Sequence, residues 1–220
     1  MRVYLVRHGE TAWNREFRLQ GQSDIELNDI GIELARITAD ALQDIRFDRI
    51  YSSPLVRAVT TAKILRGDRP LDILTDDRLL EIAFGEREGM IIPRRDGDPA
   101  NPIYQFEFDT ENYIPAKGGE TFNDVFKRTA DFWDNEIIPL ENKCESVLII
   151  GHGAMNRTIL SRLMDIPLRD FWTIKLDNCA VSIIDVTDGV SKVEETGKKY
   201  YSRDDDRFKF AKKDATSIYG

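Results

Sequence analysis

Blocks of apolar residues alternate with polar ones along the chain, and each block predicts a strand or a helix. Short runs rich in β-branched and apolar residues predict strands at residues 2–6, 49–52, 71–74, 146–150 and 181–186. Apolar residues at helical spacing predict helices over residues 28–42, 54–65, 121–136 and 155–164. Asn28 is a typical N-cap, and Pro54 suits a first helical turn. This alternation predicts an α/β fold, with a mostly parallel central sheet in a three-layer α/β/α arrangement.

Residues 90–118 interrupt the alternation. This segment contains four of the eight prolines and an aromatic set made of Tyr104, Phe106, Phe108 and Tyr113. Long irregular segments in compact domains are usually functional or disordered, and the aromatic residues argue against disorder. We therefore interpret residues 90–118 as a lid inserted over the carboxyl edge of the sheet.

The length of 220 residues fits a single domain with this one insertion. From about residue 194 to residue 220 the chain is dense in both charges, including Asp204, Asp205 and Asp206. We predict a solvated C-terminal segment there.

Composition and charge exclude several classes of partner. The net charge of -8 argues against nucleic-acid or anionic-membrane surfaces, because no basic excess is available to replace counterions. No apolar stretch approaches the ~18 residues of a membrane span. The first apolar run is closed by Arg7, which argues against a signal peptide. Cys144 and Cys179 are too few for a disulfide framework, and we expect reduced thiols in a cytoplasmic protein.

The chain has only two histidines, and both occupy the same kind of position. His8 follows the first predicted strand and precedes Gly9, whereas His152 follows the most apolar strand between Gly151 and Gly153. Ligands of open α/β sheets bind beyond the carboxyl ends of the strands. The flanking glycines allow sharp turns and a close approach of the backbone to a ligand. A lone histidine is usually structural, but two in this position indicate a functional site.

Two arginines belong to the same predicted edge of the sheet. Arg7 adjoins His8, and Arg57 lies at the beginning of the helix that follows the second strand. A guanidinium group presents a rigid fork of donors that matches phosphate oxygens, and a helix N-terminus adds partial positive charge. Two arginines and two histidines at strand ends therefore predict a phosphoryl-binding pocket in an otherwise acidic protein.

Several segments carry a family resemblance when they are taken together in chain order. They are Leu5-Val6-Arg7-His8-Gly9-Glu10-Thr11, Trp13-Asn14, residues 19–24, residues 27–31, Ser52-Ser53-Pro54-Leu55 with Arg57, residues 80–85 and Gly151-His152-Gly153. As a set they resemble the histidine phosphatase superfamily, the phosphoglycerate-mutase-like proteins. The resemblance extends from residue 1 to about residue 186, and residues 90–118 and the C-terminal segment match it poorly.

The resemblance implies a metal-independent phosphomonoester hydrolase that works through a phosphohistidine. His8 would attack phosphorus as a neutral imidazole, which the reference pKa of about 6.5 allows near neutrality. Arg7, Arg57 and His152 would surround the phosphoryl oxygens, with His152 as a protonated donor. Glu81 would protonate the leaving oxygen and then activate water.

The resemblance also implies the surroundings of the reaction. Asn14, Gln20 and Gly21 fall on positions that line the substrate pocket in the family. Neither a metal nor a cofactor is implied, and the expected partner is a small phosphorylated metabolite. Without the resemblance, Glu81 before an apolar Ile82 would be interpreted as an ordinary solvated carboxylate.

Phosphoglycerate mutase is the main alternative. In the mutases the catalytic glutamate is followed by Arg-His-Tyr-Gly, whereas here residues 81–85 are Glu-Ile-Ala-Phe-Gly, which is similar to the phosphatases. Arg94 and Arg95 could still serve as the basic pair of a mutase insertion.

Three further alternatives are weaker. A non-catalytic phosphate-binding module would be expected to lack one of the catalytic residues. A metal site on His8 and His152 would have no third histidine and would place the ion near arginines. A serine hydrolase would need a Gly-x-Ser-x-Gly elbow, which the sequence does not contain.

Overall fold

The computed structural model describes residues 1–93 and 97–202. The strands in this part of the chain are β1 (Arg2–Arg7), β2 (Arg49–Ser52), β3 (Ile73–Thr75), β4 (Ser146–Gly151), β5 (Val181–Thr187) and β6 (Val190–Lys198). The α-helices are α1 (Ala12–Arg15), α2 (Asp29–Ala41), α3 (Val56–Arg66), α4 (Tyr104–Phe108), α5 (Phe122–Phe132) and α6 (Gly153–Leu163). Short 3₁₀ turns lie at Asp77–Leu79, Gly85–Arg87, Thr110–Asn112, Ile138–Leu140 and Leu168–Thr173, and a π-turn at Trp133–Ile137 extends α5.

The strands form one sheet, which is six-stranded within the described residues and has the order β3-β2-β4-β1-β5-β6. The pairs β1–β4, β2–β4 and β2–β3 are parallel, whereas β5 is antiparallel to β1 and β6 is antiparallel to β5. The mixed α/β fold with a mostly parallel sheet is therefore confirmed. In the β1–β4 register Arg7 lies opposite Gly151, so the residues that follow these two strands emerge side by side.

Alternate residues of the central strands bury into opposite faces of the sheet, as the pleat requires. Val3 and Leu5 of β1 belong to a core shared with α5 and α6. Tyr4 and Val6 belong to a second core shared with α2 and α3. Helices thus cover both faces, and the continuous apolar run of β4 reflects burial on both sides.

Helix beginnings follow the predicted signals at α2 but not everywhere. Asn28 is the N-cap of α2, and its side chain accepts a hydrogen bond from the Gly31 amide. Pro54 lies ahead of α3, which begins at Val56. Helix α6 begins at Gly153, directly after His152 and earlier than the apolar spacing predicted.

The prediction of a solvated terminal segment is wrong for residues 194–198. These residues complete β6, which pairs with β5 at the edge of the sheet and alternates half-buried with exposed positions. The high charge density hid this alternation, because an edge strand tolerates charged side chains on its open face. Residues 203–220, including Asp204, Asp205 and Asp206, lie outside the described residues.

Much of the predicted lid packs into the core. Phe106 of α4 contacts the rings of Phe84, Phe122 and Trp172, with ring centroids 4.7–5.3 Å away. Ile103 is also fully buried. A lid function for residues 90–118 stays a prediction, and Arg94, Arg95 and Asp96 lie outside the described residues.

Two further observations concern the wider context of the chain. Cys144 and Cys179 are both free thiols. Among the described helices, none has the length and apolar character needed to cross a membrane.

Candidate active site

The carboxyl ends of β1 and β4 bring the two histidines together. The rings of His8 and His152 lie with their centroids 5.1 Å apart at an interplanar angle of 59°. The His8 amide donates to the Gly151 carbonyl at 3.0 Å, so the β1–β4 ladder continues into the site. Both side chains are almost completely buried.

The hydrogen bonding of His8 defines which of its ring nitrogens carries the proton. Its Nδ1 lies 2.6 Å from the carbonyl oxygen of Gly9. Because a carbonyl only accepts hydrogen bonds, Nδ1 carries the proton and the Nε2 lone pair is available. Burial, together with the charges of Arg57 and Arg7, lowers the pKa of His8 well below its usual value. The imidazole is therefore neutral at neutral pH, as phosphoryl capture requires.

His152 is held in the complementary tautomer. Arg57 Nε donates to His152 Nδ1 at 3.3 Å, which leaves the ring proton on Nε2. Within the described residues that buried Nε2 has no hydrogen-bond partner. Burial and the charges of Arg57 and His8 lower the pKa of His152 well below its usual value. The expectation of a protonated His152 is therefore wrong for this arrangement of charges, and a neutral ring can donate Nε2–H to a phosphoryl oxygen.

Arg57 joins α3 to the loop that follows α1. It is fully buried, and its Nη1 and Nη2 donate to the carbonyls of Ser23 and Gly21, both at 2.7 Å. Burial lowers the pKa of Arg57 to about 10, so the guanidinium stays charged at neutral pH. Gly21 has a φ of +53°, and a Cβ there would lie 2.2 Å from a carboxylate oxygen of Glu88. The loop thus requires glycine, and the neighbouring Gln20 side chain is buried with it.

Arg7 approaches the site from the end of β1. Its Nη1 donates to the Leu176 carbonyl at 2.7 Å. Its Nε is buried and has no partner among the described residues. Burial lowers the pKa of Arg7, although nearby carboxylates such as Glu81 oppose this shift. A buried guanidinium with an unused donor is suited to bind an anion.

The Glu81 carboxylate lies at the N-terminus of α6, immediately after His152. Its Oε1 accepts from the amides of Ile82 and Met155 at 3.0 and 2.9 Å, and its Oε2 accepts from the Ala154 amide at 3.0 Å. The Glu81 carbonyl in turn accepts hydrogen bonds from Gln22 and Arg128. Glu81 is therefore held on both its backbone and its side chain beside the histidine pair.

Asn178, which was not predicted from the sequence, links the Asn14 side chain to the backbone of His8. The Asn178 side-chain amide donates to the His8 carbonyl at 3.1 Å and to Asn14 Oδ1 at 3.3 Å. The Tyr201 hydroxyl donates to the Asn178 carbonyl at 2.7 Å. Asn178 precedes β5, and an antiparallel strand begins at the edge where its parallel neighbours end. Strand direction was the signal that could have found Asn178.

Arg157 is a second residue that sequence reasoning missed. It lies on α6, and a Cβ built on Gly153 would be 3.5 Å from Arg157 Nη1, 3.6 Å from Glu81 Oε2 and 3.7 Å from Arg7 Nε. These three charged groups therefore border one small volume next to His152. The spacing of four residues from Gly153 on the same helix was the available signal, but a lone arginine on a helix is usually exposed.

These residues have the chemistry of a phosphoryl-transfer site. A neutral imidazole can act as a nucleophile, buried guanidinium groups can stabilise oxyanions, and a carboxylate can give or take protons. Among the described residues, no cluster of three or more histidine, cysteine or acidic side chains could hold a metal ion. Independence from metal stays a prediction.

Comparison with known proteins agrees with this geometry. Residues 3–199 match the family described as the histidine phosphatase superfamily (branch 1). The chain belongs to this superfamily. Among the solved structures that resemble this chain is YhfR of Bacillus stearothermophilus, with a TM-score of 0.81 and 34% sequence identity. The match covers 90% of this chain and 96% of YhfR.

Named relatives within the superfamily include both phosphatases and mutases. A probable 2-carboxy-D-arabinitol-1-phosphatase of Arabidopsis thaliana is 32% identical over 84% of this chain, but the match covers only 38% of that longer protein. A probable phosphoglycerate mutase, GpmB of Yersinia pestis, is 34% identical over 84% of this chain and 85% of GpmB. The superfamily is thus established, and the relatives carry two reaction types.

Proposed function

We propose that this chain is a cytoplasmic, metal-independent phosphomonoester hydrolase that works through a phosphohistidine on His8. The observation that carries the proposal is the hydrogen bond from His8 Nδ1 to the Gly9 carbonyl, which leaves Nε2 unprotonated beside His152. The proposed substrates are small phosphorylated metabolites. Nucleic acid and membrane are not proposed as partners.

In the first step the His8 Nε2 lone pair attacks phosphorus and the bond from phosphorus to the ester oxygen breaks. Arg7, Arg57 and the Nε2–H of His152 stabilise the charge on the phosphoryl oxygens. Glu81 gives a proton to the leaving oxygen, and the alcohol departs. The product of this step is a phosphoenzyme with a P–N bond.

In the second step water attacks the phosphorus of the phosphoenzyme. Glu81 accepts a proton from that water as the new P–O bond forms, and the P–N bond to His8 breaks. Inorganic phosphate leaves, and the neutral imidazole and the protonated Glu81 are restored. Asn14, Gln20 and Gly21 are proposed to line the pocket around the substrate.

A mutase is the second candidate because of the similarity to GpmB. A mutase must return the phosphoryl group to the substrate and keep water out meanwhile. The residues after Glu81 support the phosphatase instead, since they are Ile-Ala-Phe-Gly rather than the Arg-His-Tyr-Gly of the mutases. The Phe84 ring is buried against Phe106, with a centroid distance of 4.7 Å.

The two reactions differ in their products and in their need for a primer. We expect steady release of inorganic phosphate from simple monoesters such as p-nitrophenyl phosphate, with no dependence on 2,3-bisphosphoglycerate. Phosphate is measured together with the ratio of 2- to 3-phosphoglycerate in a parallel reaction. Rapid, primer-dependent interconversion of the phosphoglycerates with negligible phosphate release would contradict the hydrolase and support the mutase.

Catalysis without metal gives a separate expected result. Because the guanidinium groups of Arg7 and Arg57 neutralise the phosphoryl charge and His152 Nε2–H stabilises it by hydrogen bonding, activity is expected to survive excess EDTA. Vanadate is expected to inhibit, since its trigonal-bipyramidal form resembles the phosphoryl transition state. The assay follows phosphate release before and after chelation and dialysis. Loss of activity on chelation, with recovery on adding magnesium or zinc, would exclude the proposed charge neutralisation.

A further inference from the structure

Arg157 is a buried cation that the proposed reaction does not use. Its side chain is only 8% exposed. Nε donates to the Ile174 carbonyl at 2.9 Å, Nη1 donates to the Gly153 carbonyl at 2.8 Å, and the guanidinium carbon lies 4.8 Å from the centre of the Trp172 ring. These contacts fix the guanidinium plane. Within the described residues they leave Nη2 without an acceptor.

The charge of Arg157 has no counter-ion at ion-pairing distance among the described residues. Burial and the neighbouring Arg7 lower the pKa of Arg157 to about 10, so it remains protonated at neutral pH. Burying an unpaired charge is costly, and such charges are normally compensated by an anion. The substrate is the natural source of that anion, because Arg157 borders the reaction site.

Arg157 lies on the side of the site where the leaving group departs. Its Nη1 and the Glu81 Oε2 both lie within 3.6 Å of the position that a Cβ on Gly153 would occupy. In the proposed reaction Glu81 protonates the leaving oxygen, so the carbon atoms attached to that oxygen extend past Glu81. Arg157 is therefore placed beside the alcohol portion of the substrate.

The surroundings of Arg157 include the cation Lys175 and three carboxylates, those of Glu81, Glu107 and Asp177. Lys175 is exposed, and its Nζ donates to the Trp172 carbonyl at 3.2 Å. Glu107 of α4 is half-buried, and no cation of the described residues lies at ion-pairing distance from it. Burial raises the pKa of Glu107, while the charges of Arg157 and Lys175 oppose that shift.

We propose that Arg157 is a specificity-determining residue that binds a carboxylate of the leaving group, so that the preferred substrates are phosphate monoesters of hydroxy acids. This inference rests on the proposed hydrolase function and names the substrate class of the same site. The carboxylate accepts a charge-assisted hydrogen bond from Nη2, and Lys175 adds attraction at the rim. Because the contact exists before and during the reaction, it lowers KM more than it raises kcat.

Two esters that differ only at the relevant group test this proposal. 3-Phospho-D-glycerate and sn-glycerol 1-phosphate share the ester linkage and the configuration at C2, and a carboxylate in the first takes the place of a hydroxymethyl group in the second. Phosphate release from both esters is measured at one and the same pH. The readout is the ratio of kcat/KM for the two esters, so general losses of activity cancel. The wild type is expected to prefer 3-phosphoglycerate by roughly ten- to a hundredfold.

Four variants are compared with the wild type. Arg157→Met is expected to bring the ratio close to one, mainly by raising KM for 3-phosphoglycerate. Arg157→Lys keeps the charge and is expected to retain part of the preference. Glu107→Gln removes a repulsive charge and is expected to raise the preference, which tests the proposal even if Arg157→Met does not fold. Arg162→Met is the matched control, since Arg162 lies on the exposed side of α6 and pairs with Asp134.

The outcomes distinguish failure of the carboxylate site from failure of the proposed hydrolase function. If the wild type releases no phosphate from p-nitrophenyl phosphate, the hydrolase function itself fails. If it hydrolyses that ester but shows the same ratio as Arg157→Met, only the carboxylate site is overturned. A ratio that falls in Glu107→Gln, or that falls equally in Arg162→Met, would also overturn the carboxylate site.

Discussion

His8→Ala is expected to abolish turnover, by roughly 10⁴- to 10⁶-fold, because no other group can accept the phosphoryl group. His152 cannot substitute, since its Nδ1 lone pair is occupied by the hydrogen bond from Arg57 and its Nε2 carries the proton. Steady-state phosphate release from p-nitrophenyl phosphate measures the loss. Substitution of a side chain that only shapes the pocket would cost far less.

The covalent intermediate gives this prediction a second readout. Wild-type enzyme mixed briefly with ³²P-labelled substrate and quenched in alkaline detergent is expected to carry acid-labile, base-stable phosphate. Peptide mapping is expected to place the label on His8, and His8→Ala is expected to remain unlabelled. Label on His152 or on a serine would refute the assignment of the nucleophile.

Glu81→Gln is expected to slow turnover by roughly 10²- to 10⁴-fold, the range for loss of general acid–base assistance. The amide cannot give or take the proton. It must also direct its NH₂ group toward backbone amides of α6, which now donate hydrogen bonds to the carboxylate oxygens. The loss is expected to be smaller on p-nitrophenyl phosphate than on an alkyl phosphate, because the nitrophenolate leaving group needs little protonation.

Asp48→Asn is a matched control for this result. The Asp48 carboxylate is also partly buried and accepts from two backbone amides, those of Glu145 and Ser146, but it lies at the opposite end of β4 from His152. Its substitution is expected to change turnover little and equally on both esters. Equal losses on the two esters in Glu81→Gln would show that Glu81 only supports the helix and carries no proton.

The histidine pair could be predicted from sequence because local pattern and topology agree there. Each histidine follows an apolar run and adjoins glycine, and parallel neighbouring strands end at one edge. The β1–β4 register, with Arg7 opposite Gly151, turns that expectation into a ring contact. The positions of Arg7 and Arg57 at the same edge of the sheet could be predicted by the same reasoning.

Glu81 could be predicted as a site residue only from the family resemblance. It lies in an irregular stretch with no periodicity, and its position is set by hydrogen bonds to amides of α6. Asn178 and Arg157 depend likewise on tertiary contacts, the first with the His8 carbonyl and the second with the Ile174 carbonyl. Strand β6 was missed because its charged residues resemble a solvated tail.

The order of the strands has a consequence for synthesis of the protein on the ribosome. Strand β1 is made first, yet its two neighbours in the sheet are β4 and β5, which begin at Ser146 and Val181. At about 5–20 residues per second, β1 waits on the order of ten seconds before either partner exists. During that interval an apolar strand has both edges unpaired, which is the condition that favours aggregation or chaperone binding. His8 and His152 can therefore meet only after β4 has left the ribosome, and a nascent chain stalled before β4 is expected to expose β1.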